Sequence, residues 1–167
     1  MGNRAYVIFV RNSDKPEHQN GIAAWSPAVY LHWNGGAESV YAFLAELHRR
    51  RVRSDNNYEC ARFIQIAGDY FDCGSELTTL SLGVGNLPDC SSETLLQFNP
   101  GDNGIYLVER GTGELGIKRM RRIVGQEEQT PAWVEAEKKK ALADCNAGKI
   151  AKAFRELTQE KLMGQYC

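Results

Sequence analysis

The run His32-Trp33-Asn34-Gly35-Gly36-Ala37-Glu38-Ser39 places a potential base, an amide and a glycine pair just ahead of a helical pattern. Free N–H groups at a helix N-terminus beside a permissive loop can hold an anion or an oxyanion. In that arrangement His32 is the candidate general base, Asn34 a hydrogen-bond donor, and Gly35 and Gly36 an anion-binding loop. The run completes neither the P-loop nor the dinucleotide fingerprint, and Glu38 puts negative charge where a phosphate would sit. A tight strand-to-helix connection, with glycines supplying the sharp turn, accounts for the same residues without any ligand.

Five cysteines offer nucleophiles: Cys60, Cys73, Cys90, Cys145 and Cys167. They form no C-x-x-C pair, so neither a zinc ribbon nor a thioredoxin-type motif is present. Cys60 falls on an apolar helical stripe and is expected to be buried. Cys73 and Cys90 read as more exposed loop residues without an activating neighbour. His18, His32 and His48 lie too far apart in sequence for a helical ligand pair, so no metal site and no cofactor are expected.

Two basic clusters stand out, His48-Arg49-Arg50-Arg51-Val52-Arg53 and Lys118-Arg119-Met120-Arg121-Arg122. Brought together by the fold, they form a stripe able to contact several phosphates. Taken singly, the first is what a helix C-terminus favours, and the second suits an edge strand protected by charge. Lys138-Lys139-Lys140, following Glu135 and Glu137, reads as a solvated helix face.

The elements that must position these residues follow from periodicity. Ala5 to Val10 is a short β-prone run, and Ala28 to Trp33 is its expected antiparallel partner across an over-long loop. Val40, Phe43, Leu44 and Leu47 set one apolar stripe on a helix that begins near Glu38 and ends at the arginines. A second helix starts near Asn56, with Glu59 in a capping-box-like position and Cys60, Phe63, Ile64, Ala67 and Phe71 on its apolar face, and Cys73-Gly74 ends it. Thr79 to Val84 alternates as a half-buried strand. Ser92 to Phe98 suits a short helix or strand within a loop-rich stretch. Ile105 to Val108 and Gly116 to Val124 pair across the Gly111-Thr112-Gly113 turn. Thr130-Pro131 starts a helix running to about Cys145, which Asn146-Ala147-Gly148 interrupts before a further apolar stripe. The expected fold is α+β: a mainly antiparallel sheet of about five strands, helices on one face, order ββααβββα(α). Residues 1–167 form one domain, of which 130–163 is a helical C-terminal segment.

With 167 residues, 43% hydrophobic and 25% charged, the chain has the composition of an ordinary globular domain. Its net charge of −1 provides no global field for nucleic acid or membrane, so such binding must rest on a local patch. The apolar run from Ala5 to Val10 is too short for a secretory segment or a span, which makes the cytoplasm the expected compartment.

Three stretches carry a resemblance: Ala28 to Val40, Tyr58-Glu59-Cys60-Ala61-Arg62-Phe63, and Gly101-Asp102-Asn103-Gly104-Ile105-Tyr106. Over residues 4 to 124 the chain resembles small proteins encoded on bacterial plasmids, prophages and integrative elements. The resemblance brings no catalytic residues. It implies an accessory factor of a mobile element that binds a host protein or ribonucleoprotein complex, in the manner of an anti-CRISPR inhibitor. Trp25, Trp33, Arg49, Arg50, Arg51, Arg53, Lys118, Arg119, Arg121 and Arg122 are the expected anchors of such a surface. Two alternatives are a nucleic-acid-binding protein using both basic clusters and an enzyme centred on His32 and Asn34.

Overall fold

The computed structural model describes residues 2–72 and 82–164. Thr79 to Ser81, the Cys73-Gly74 helix stop and the thiols of Cys73 and Cys167 lie outside them. The strands are β1 (Ala5–Asn12), β2 (Ile22–Trp25), β3 (Ala28–Leu31), β4 (Leu82–Gly85), β5 (Ile105–Arg110), β6 (Ile117–Val124) and β7 (Glu127–Glu128). The helices are α1 (Ala37–Arg49), α2 (Asn56–Asp72), α3 (Ser92–Phe98), α4 (Pro131–Leu142) and α5 (Cys145–Gly164).

The α+β class holds, but the sheet differs from the expected one. Among the described residues it has seven strands, in the order β4-β3-β1-β5-β6-β7 with β2 also on β1. At its centre β1 and β5 run parallel, Tyr6 opposite Ile105 and Phe9 opposite Val108, so the sheet is mixed. Both strands are continuous apolar runs because both faces are covered. Ala5, Val7, Phe9, Tyr106 and Val108 meet the large helices on one face. Ile8, Val10, Ile105 and Leu107 meet α3, Leu87 and Cys90 on the other. The expectation of helices on one face only is therefore corrected. The short α3, capped by Ser91 Oγ accepting from the Thr94 N–H at 3.2 Å, helps to close the second face.

The long loop after β1 also contains structure. β2 and β3 pair with successive parts of β1, separated by Ser26-Pro27. Proline cannot donate there, and Ser26 bridges the break. Its N–H donates to the Phe9 carbonyl at 2.8 Å, and its Oγ accepts from the Phe9 N–H at 3.0 Å. Strand β3 stops at Leu31, leaving His32 and Trp33 outside it.

The α1 stripe is buried as read, and Phe43 packs edge-on against Phe63, Phe71 and Phe154. Thr130 caps α4 by accepting from the Trp133 N–H at 3.2 Å. Helix α2 starts at Asn56 as read, with an aspartate as its cap, and the break between α4 and α5 falls a few residues earlier than read, again beside an aspartate. Asp55, rather than Asn56, accepts from the first free N–H groups of α2. Asp144 accepts from the Asn146 N–H at 2.8 Å, so the break lies before Asn146-Ala147-Gly148, which are helical.

Candidate functional site

Two locations compete for function: the glycine loop with its adjoining cleft, and the end of the sheet where β1 and β5 finish.

At the glycine loop, Gly35 lies against the first strand. Its N–H donates to the Asn3 carbonyl at 2.7 Å, and its carbonyl accepts from the Tyr106 hydroxyl at 3.0 Å. A Cβ on Gly35 would stand 2.5 Å from the Asn3 oxygen, so close backbone approach requires glycine here. Asn34 takes the left-handed conformation at φ 58° and donates to Ser39 Oγ at 3.2 Å. The Glu38 carboxylate lies so near Gly36 that a Cβ there would come within 2.6 Å of it. The negative group that a helix N-terminus attracts is thus supplied by the chain itself. Asn34 and Trp33 line a cleft of about 320 Å³, but His32 bonds sideways to the Tyr30 hydroxyl at 3.1 Å and stacks edge-on with Trp33. His32 and Asn34 are not assembled as base and donor around one reacting atom.

The cysteines supply no activated thiol among the described residues. Cys60 is buried, as expected. Cys90 corrects the expectation of exposure: it is buried in the second core, and burial, then Asp89, pushes its thiol up to about 11. Cys145 is exposed.

The basic clusters separate into structural and exposed members. Arg122, expected on the surface, is 1% exposed and has the largest volume of the fully buried side chains among the described residues. It lies on the helix side of β6, where its guanidinium stacks 3.5 Å from the Tyr106 ring centroid. It also donates to Glu137 at 2.8 and 3.1 Å and to the Ile105 carbonyl at 2.8 Å. Trp25 is likewise corrected as an exposed anchor, because it is half-buried against the second core with its indole N–H on the Leu87 carbonyl. Arg121 is held by Glu128 and the Asn20 carbonyl. Arg49 and Arg50 converge on buried Glu46, and Arg50 also reaches Asp69. Burial acts to raise the Glu46 carboxyl, but hydrogen bonds from both arginines outweigh it and hold the group below its usual value.

The remaining cations gather at one end of the molecule. Because β1 and β5 are parallel, their C-terminal ends lie together, next to the end of α1 and the start of α2. The Arg11 guanidinium donates to the Ser54 carbonyl, Arg110 donates to the Val52 carbonyl at 3.2 Å, and Ser54 Oγ donates to the Arg110 carbonyl. Asn12 donates to Glu109 at 2.6 Å, and Glu109 also takes Lys118 at 3.1 Å and, more distantly, Arg119 at 4.0 Å. A bulge in the β5–β6 pairing aims both cations at that one carboxylate, because the register shifts between Glu109 and Arg110. Arg11, Arg51, Arg53, Lys118 and Arg119 thus border one basic end, with Arg51 and Arg53 forming no ion pair among the described residues. This joining of the two clusters was not legible in the sequence, and the contribution of Arg11 was missed altogether.

Arg51 is also distinct in its backbone. α1 ends in a Schellman motif, in which the Val52 N–H donates to the Leu47 carbonyl and the Arg51 N–H to the His48 carbonyl. The motif puts Arg51 at φ 53°, a position that favours glycine. An arginine there costs about 1 kcal/mol relative to glycine, so replacing it with glycine separates the effect of its charge from that of stability.

Beneath this end, Glu59 and Arg110 are both buried, and Glu59 Oε1 and Arg110 Nε lack a protein hydrogen-bond partner. Burial raises the Glu59 carboxyl above its ordinary 4.5, with Arg110 the main opposing influence. A carboxyl whose folded pKa is raised holds its proton more tightly folded than unfolded. Stability therefore falls as pH rises from the unfolded value through the folded one. Glu59→Gln removes that loss. Its thermal midpoint relative to wild type should climb from about pH 4 toward neutrality and then level off. Parallel pH profiles for the two proteins would show that Glu59 titrates normally.

Compared with known proteins, the chain matches no family model, no curated sequence and no solved structure. Among the described residues no helix is long and apolar enough to cross a membrane.

Proposed function

We propose that this protein binds nucleic acid through the basic end formed by Arg11, Arg51, Arg53, Lys118 and Arg119. The observation that carries the reading is the convergence of two clusters, distant in sequence, on the aligned ends of β1 and β5. The whole chain carries a net charge of −1, and at this end five cations face the carboxylates of Glu109 and Asp55, a local excess of positive charge. Such a local patch attracts a polyanion without a basic protein overall. A role as an accessory factor of a mobile element, directed at a host ribonucleoprotein complex, uses the same surface if the complex presents its RNA there.

The test is fluorescence anisotropy with labelled oligonucleotides across a salt series. Counterion release predicts a linear fall of log K with log salt, with a slope of about −3.5 for five contacts on a single strand. Affinity that ignores salt, or no binding at low salt, removes the proposal.

A further inference from the structure

Resting on that reading, we infer that the preferred ligand is a single strand, one of whose bases stacks on Tyr58. Tyr58 is 55% exposed on the first turn of α2, an unusual degree of exposure for so large a ring. It stands at the basic end, not on a remote face. The Arg53 guanidinium lies 5.8 Å from its ring centroid, and Ser54, next in the chain, holds Arg11 through its carbonyl. Arg62, one helical turn on and exposed, bonds to Gln65. An exposed aromatic ring partnered by one guanidinium is an arrangement that takes an unstacked base, the cation moving from the ring to a backbone phosphate.

Duplex recognition finds less support in the same geometry. A two-stranded ribbon can enter a major groove. The turn of the β5–β6 hairpin, Gly111-Thr112-Gly113-Glu114, is exposed but carries no cation, and its carboxylate pairs with Lys138 at 3.0 Å. The following Leu115-Gly116 pack against the end of α1 and the core. The cations instead wrap round the strand ends. Lys118 and Arg119 sit on the Glu109 side of the sheet, and Arg51 and Arg53 sit on the side of α1 and α2. A flexible single strand can follow that path, and its bases are already free to stack.

The experiment compares a labelled 12-nucleotide single strand of mixed sequence with its duplex, using wild type, Tyr58→Ala and Tyr58→Phe. Being exposed, the site tolerates both changes. The expected result is tighter binding of the single strand by wild type, a loss of about fivefold or more in Tyr58→Ala, and retention in Tyr58→Phe, because stacking needs the ring and not the hydroxyl. Equal or tighter duplex binding, or a Tyr58→Ala variant that binds like wild type, overturns the single-strand inference while leaving nucleic-acid binding in place. Failure of wild type to bind either oligonucleotide overturns both.

Discussion

Arg122→Ala is expected to destabilise the fold by about 3–5 kcal/mol, the cost of breaking a buried ion pair from one side. That is a large share of the roughly 5–15 kcal/mol by which a domain is stable, so the variant should be partly unfolded near 37 °C. The guanidinium joins β6 to α4 through Glu137, satisfies the Ile105 carbonyl within the sheet and covers the Tyr106 ring. Deleting it leaves a half-buried carboxylate and a buried carbonyl unpaired and opens a void against the ring. Arg122→Lys keeps the charge but cannot form the planar fork or the stack, so it should recover only part of the loss. Urea denaturation of Arg122→Ala, Glu137→Ala and the double variant measures the coupling. Additive losses in that cycle would show that the two groups do not depend on each other. At temperatures where Arg122→Ala remains folded, it should bind oligonucleotides as wild type does, which separates this arginine from its exposed neighbours.

Neutralising Arg51, Arg53, Lys118 and Arg119 together with glutamine should reduce the salt slope of single-strand binding by about 2.8, at about 0.7 per phosphate contact. At about 0.1 M salt that difference amounts to roughly a 600-fold loss of affinity. Neutralising Lys139, Lys140, Lys149 and Lys152 instead, all exposed on α4 and α5, removes the same formal charge from another surface and should change binding little. Equal losses in the two variants would mean that general attraction, and not this end, carries the interaction. Lys118 and Arg119 also neutralise Glu109, so some stability is lost with them. Arg51→Gly avoids that difficulty. It relieves the left-handed backbone and should stabilise the protein by up to about 1 kcal/mol, while weakening binding. A more stable protein that binds less well cannot be explained by damage to the fold.

Local patterning determined much of this architecture. The α1 stripe of Val40, Phe43, Leu44 and Leu47, the Thr130-Pro131 start of α4, the buried run at β1 and the β5–β6 hairpin were all legible, because each depends on residues within a few positions of one another. Caps were less so: Asp55 and Asp144 each displaced a neighbouring reading, since several polar residues at a helix start compete for the same N–H groups. The glycine loop and its competing explanation could both be written from sequence, but only the packing of Asn3 and Glu38 against Gly35 and Gly36 showed how the chain itself fills that space.

Tertiary structure alone decided the remainder, for reasons of distance. Strands β1 and β5 are about a hundred residues apart, and no local pattern distinguishes a parallel from an antiparallel neighbour when both faces are buried. That single pairing brings Arg11 and Asn12 beside Glu109 and thereby joins two basic clusters into one end. The burial of Arg122, which by composition belongs to a solvated edge, is set by the β5–β6 register that stands it behind Tyr106 and by α4, whose Glu137 faces it. Charge type is written in the sequence. Whether a charge meets water or a buried partner is set by which strand lies beside it and which helix covers it.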